Sequence, residues 1–268
     1  AFAYTTALNY LLRRDENNRQ RLRIGDTTVV FWTDAQDSAA GQLVADFFDP
    51  PSDDSQETRK LRDVLKTVQQ GLPLRTLDPN LDGGTRIFVL GLAPNAARLS
   101  IRFWHVDTLQ AFASRLAEHF QDLALEPSPF KTPPAVWRLL LATVPRRNDK
   151  SKSEDVPPHL AGELTRSILT GARYPRSLLS QLIMRLRADR QVTGVRVALC
   201  KAVLARGQRL SSTQTIKEIP VSLDTTNTDP GYLLGRLFSV LESVQRAALG
   251  SQINATIRDK YYGAASAT

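Results

Sequence analysis

The chain has one cysteine, one methionine and three histidines in 268 residues. A single thiol, Cys200, excludes an internal disulfide, and without a second thiol three scattered histidines do not make a zinc site. The expected setting is a reducing cytoplasm. Long apolar runs are also missing. AVWRLLLATVP, over 135–145, is broken by arginine and falls short of the about 18 apolar residues that a membrane span needs. The opening AFAYTTALNYLL lacks the basic start and the cleavage site of a signal peptide, so no export signal is expected. There is no glycine-rich phosphate loop, no G-x-S-x-G elbow and no H-E-x-x-H pair. His105, His119 and His159 stand apart, Asp53 and Asp54 fall in a turn, and Asp37, Asp46 and Asp49 fall at helix ends. No catalytic residue, metal ligand or cofactor is expected, and the chain does not read as an enzyme.

What is present is an ordinary soluble composition, 42% hydrophobic and 23% charged, enough to bury one large core or two small ones. The net charge is +8 and unevenly placed. Residues 1–150 carry 19 Lys and Arg against 18 Asp and Glu, whereas residues 151–268 carry 16 against 9. Between Arg166 and Arg209 ten basic residues face one acid, Asp189. Arginine outnumbers lysine 27 to 8, and planar guanidinium forks suit phosphates and stacked bases better than ammonium does. A genome rich in G and C, writing Arg for Lys, would give the same bias.

The periodicity predicts α+β organisation. Apolar spacing predicts a helix from Phe2 to about Arg23, a strand over TTVVFWT (27–33), and helices over 39–48 and 56–69. RIFVLGL (86–92) reads as a central strand. RLSIRFWHV (98–106) alternates, which predicts an antiparallel hairpin burying Leu99, Ile101, Phe103 and His105 and leaving Arg98, Ser100, Arg102 and Trp104 on an open face. An amphipathic helix over 109–125 covers the buried side. This gives a small antiparallel sheet covered by helices over 1–145 and a hydrophilic linker over 146–158. A basic, mainly helical bundle then follows over 159–268, with helices near 160–169, 176–190, 195–205, 231–249 and 254–262.

RYPRSLLSQLIMRLRADR (173–190) is the sharpest local signal. On a helical wheel Leu178, Leu179, Leu182, Ile183 and Leu186 form one face, with Arg185 and Arg187 on its opposite borders and Met184 on the polar side. An ordinary solvated helix mixes charge signs, whereas like charges need a neutralising partner. The candidate phosphate contacts are Arg173, Arg176, Arg185, Arg187, Arg190, Arg196 and Lys201, with Arg98 and Arg102 on the hairpin. The alternative is a bland solvated face.

GDTTVVFWTD (25–34), VLGLAPNAARLSIRFW (89–104), RYPRSLL (173–179), RVALCKAVLAR (196–206) and NATIRDKYYGAASAT (254–268) together resemble the large subunit of the type I-C CRISPR-Cas surveillance complex, Cascade. The resemblance implies a non-catalytic ribonucleoprotein subunit. It implies as partners target DNA, the CRISPR guide RNA complex, other Cascade subunits and a helicase-nuclease, and it implies no membrane. The family's members extend further at both ends, so the portion expected to read the protospacer-adjacent motif is not assigned to any residue here. Residues from about 219 to 268 resemble the family's small-subunit-like helical part. The competing reading is a basic interaction scaffold whose arginines meet acidic protein surfaces without touching DNA.

Overall fold

A computed structural model describes residues 2–15, 18–34, 38–50, 55–96, 98–145, 151–211, 219–250, 256–257 and 260–261. The chain opens with helix α1 (Phe2–Leu11), none of whose residues is buried. The predicted helix therefore stops early. RLRI, inside the stretch read as helical, forms strand β1 (Arg21–Ile24), which turns through Gly25 in the left-handed region (φ 62°) into β2 (Thr27–Thr33). Helices α2 (Ser38–Phe48) and α3 (Gln56–Gln69) follow. Ser55 caps α3, its hydroxyl accepting from the Thr58 amide, and Leu61, Val64, Leu65 and Val68 give the helix a buried stripe.

Strands β3 (Arg86–Asn95) and β4 (Arg98–Thr108) complete one antiparallel sheet of order β1-β2-β3-β4, as α+β reasoning expects. Opposed residues of antiparallel strands share a face. Leu22, Val29, Gly91 and Phe103 form one inner row, and Phe31, Val89 and His105 the next. Gly91 is required by Phe103, because a Cβ there would stand 2.4 Å from the phenyl ring.

The distal half of the hairpin departs from simple alternation. Gly91 faces Phe103 but Leu92 faces Ile101, so Arg102 is an extra residue, a bulge that moves everything beyond it to the other face. Leu99 and Ile101, predicted to be buried, are 61% and 68% exposed. Arg102, predicted to be on the open face, packs over Gly162, where an added Cβ would stand 3.9 Å from its own.

Helix α4 (Leu109–Leu123), capped by Thr108, buries Leu109, Phe112, Ala113 and Leu116 beneath the sheet. Then come a short helix the apolar run did not reveal, α5 (Val136–Leu140), and four longer ones: α6 (Pro158–Thr170), α7 (Arg176–Asp189), α8 (Gly194–Arg209) and α9 (Pro230–Leu249). These four lie where periodicity placed them. Asp229 caps α9, accepting from the Tyr232 amide, with Pro230 at its start. Most of the predicted helix over 254–262, the helix end expected at Asp37 and the turn at Asp53 and Asp54 lie outside the described residues. The composition break at 146–158 does not interrupt the packing: one buried cluster runs from Ile24 to Ala202 and takes residues from β2, α4, α6, α7 and α8. Helix α9 buries nothing, and Leu233, Leu234, Leu237, Val240 and Val244 are all exposed.

Candidate nucleic-acid interface

The arginine-rich segment divides into an inner and an outer set. Leu178 and Leu182 seat α7 in the core, while Ile183 and Met184 are exposed, so the apolar face is narrower than the wheel predicts. Arg185 lies mostly covered along that rim and pairs with Asp189 (3.5 Å). Arg196 is 2% exposed, and the same carboxylate accepts from it. Its guanidinium also donates to the carbonyls of Ala142 and Gln191, each at 3.1 Å. Asp189 thus holds both arginines and locks α7 to α8, and Arg196 ties α8 to the turn after α5.

Lys201 is buried as well, its ammonium donating to the Asp122 carbonyl at 3.1 Å. Arg196 and Lys201 were candidates for phosphate contact; buried and spent on protein oxygens, they are framework instead. The outer set is Arg173, Arg176, Arg187 and Arg190, all exposed. Arg173 donates to the Leu210 carbonyl (2.6 Å), which fixes its head near the end of α8. Arg190 ends α7 in the left-handed region (φ 53°). On the hairpin, Arg98 is exposed at the tip, and Arg102 reaches Asp26 at 3.4 Å. The nine predicted residues therefore do not form one surface.

A buried ionic cluster, invisible in the segment pattern, sits below the outer set. Asp122 of α4, 2% exposed, accepts from Arg206 Nε (2.7 Å) and from both Arg209 Nη atoms (2.7 and 3.1 Å). Tyr174 donates to it at 3.4 Å, and the Arg206 guanidinium stands 4.1 Å over the Tyr174 ring. Arg209 is raised by its bonds to Asp122, whereas burial pushes the Tyr174 phenol up. The half-exposed Arg209 is held by a carboxylate beneath it, leaving its outer edge toward solvent.

The other face of the sheet carries a signal that strand alternation missed in part. Trp32 stacks on Phe88 (centroids 5.4 Å, planes 8° apart), and Trp104 lies 5.6 Å from Trp32 and 6.1 Å from Phe88. Arg86 lies over the Phe88 ring at 5.7 Å and pairs with Asp34 (2.7 Å).

The cleft lined by Arg19, Asp46, Asp49, Glu57 and Trp137 gathers three carboxylates, but each has its own structural role. Asp46 pairs with Arg19 (2.7 Å) and Asp49 accepts from Trp137 Nε1 (3.3 Å). Glu57 is held low by its own amide at the start of α3 and by Ser55. No group of three or more metal-ligating side chains comes together among the described residues. Burial pushes the Cys200 thiol up, away from the reactive thiolate.

No curated protein matches the chain. A family model described as CRISPR-associated protein (Cas_Csd1) matches residues 1–268, the full length of the chain, and the protein belongs to that family.

Proposed function

We propose that this protein is the non-catalytic large subunit of a type I-C CRISPR surveillance complex, holding target DNA strands opened by the guide RNA and supporting helicase-nuclease recruitment in the cytoplasm. The family match over the whole chain carries the reading. The exposed arginines Arg173, Arg176, Arg187 and Arg190 supply the chemistry, since backbone phosphates are held by cations without base specificity. In such a complex base pairing reads sequence, and protein cations hold backbones and the displaced strand. No helix among the described residues is long and apolar enough to cross a membrane.

Binding of single-stranded and duplex DNA across a salt series tests the reading. Replacing Arg176, Arg187 and Arg190 together by Ala should weaken binding and lower the slope of log K against log salt by about 1 for each phosphate no longer neutralised. An unchanged slope refutes phosphate contact by this segment. The uncovered apolar stripe of α9 favours a second reading, an interaction scaffold. That reading prevails if the arginine variants assemble poorly with partner subunits while the parent chain ignores DNA.

A further inference from the structure

The register across all four strands defines the sheet face turned away from the core. Its rows are Arg23, Thr28, Leu92 and Ile101; Arg21, Val30, Leu90 and Trp104; and Trp32, Phe88 and Val106. Arg86 and Leu99 extend it at the two ends. The face holds aromatic and aliphatic side chains, one threonine and arginines, and at its Arg86 end a carboxylate, Asp34, stands opposite Arg86 and pairs with it at 2.7 Å. Val30 and Leu92 are buried, but Trp104 is 52% exposed, Val106 and Ile101 are exposed, and Trp32, Phe88 and Leu90 are half-buried. A neutral or anionic ligand with flat apolar groups matches this pattern in shape and charge.

We propose that this face is a stacking platform for an unpaired nucleotide strand, with Trp104 and the Trp32–Phe88 pair receiving bases and Arg21 and Arg23 bordering the path of the phosphates. The proposal rests on the nucleic-acid reading above and adds a second binding surface, remote in sequence from the α7 arginines. Antiparallel sheets that display aromatics on an open face bind unpaired strands in this way, because every base offers a π face and stacking tolerates sequence. The arginine border argues against an apolar protein surface as the main occupant. Such a partner would leave Arg21 and Arg23 facing no anion along the β1 edge.

The test is titration of the chain with oligothymidylate and oligouridylate, read by quenching of its tryptophan fluorescence and by anisotropy of a labelled strand. Trp104→Ala should weaken single-strand binding by about five- to a hundredfold. Trp104→Phe, which keeps a stacking ring, should stay near the parent, and duplex binding should be unchanged in both. Equal loss for both oligonucleotides assigns the platform to unpaired strands generally; loss for one alone assigns it to DNA or to RNA. The platform is overturned if Trp104→Ala and Trp32→Ala bind oligothymidylate and oligouridylate as the parent does. It is also overturned if these variants lose assembly with partner subunits while binding single strands normally. If those variants bind normally while the Arg176, Arg187 and Arg190 variant binds weakly, the platform fails and the nucleic-acid reading stands. A parent chain that binds no strand refutes both.

Discussion

His119 is buried at the centre of the ionic cluster, with Nδ1 2.6 Å from the Tyr174 hydroxyl. Burial first, and the charge of Arg206 second, pull its pKa from 6.5 to about 3, so it is neutral where Asp122 and the arginines pair. The sign of its linkage follows. Between pH 6.5 and about 3 the unfolded chain takes up a proton that the folded chain refuses, so stability falls as the pH falls through that window. The slope from this one group reaches at most about 1.4 kcal/mol per pH unit. Urea unfolding of the parent and of His119→Gln at pH 7 and pH 5 checks it. The variant should lose less stability on acidification, and an equal loss would show that His119 does not titrate as a buried neutral group. At this scale the candidate site was legible only in part. Arginine density marks a basic region, but Arg206 is fixed by an acid 84 positions away, and no local pattern distinguishes it from an exposed neighbour such as Arg187.

Elements were easier to read than their faces. Helices α3, α4 and α6 to α9 follow from apolar spacing and end signals, because a helix face is set by the chain within a few residues. The β4 face was misread because strand alternation assumes a ladder without insertions, and one extra residue at Arg102 reverses it for Ile101 and Leu99. Strand β1 escaped notice because RLRI is short and two of its four residues are arginines that belong on the open face. Helix α9 shows the converse limit, since amphipathic spacing announces a buried stripe and does not say whether this chain supplies the cover. Leu237, 54% exposed in that stripe, should tolerate Ala with a stability change within about 0.5 kcal/mol. Leu182, fully buried on α7, should lose about 2–5 kcal/mol for the same truncation. Thermal or urea unfolding of the two variants measures both. A cost at Leu237 as large as at Leu182 would mean that α9 packs on the rest of the chain after all.

At the scale of the whole molecule, charge and packing divide the chain differently. Residues 151–268 carry the basicity, yet α6, α7 and α8 complete the core that α4 and the sheet begin. The anchors are specific: Arg206 of α8 pairs with Asp122 of α4, Arg196 of α8 donates to Ala142 before α6, and Ala161 of α6 lies under the β1–β2 turn at Gly25. A helix so joined transmits loss of its own packing to the sheet, so the core should unfold as one cooperative unit. The three tryptophans report on this cleanly, because Trp32, Trp104 and Trp137 all lie before residue 145. Leu199→Ala on α8, where Leu199 is 1% exposed, truncates a core side chain that the basic half supplies. Its cost, about 2–5 kcal/mol, should appear in full as a lower denaturant midpoint of the tryptophan signal. A tryptophan midpoint that stays at the parent value would show instead that the sheet and the basic helices unfold independently. One cooperative core would mean that a strand on the α7 arginines and a strand on the Trp32 face are held by one rigid body.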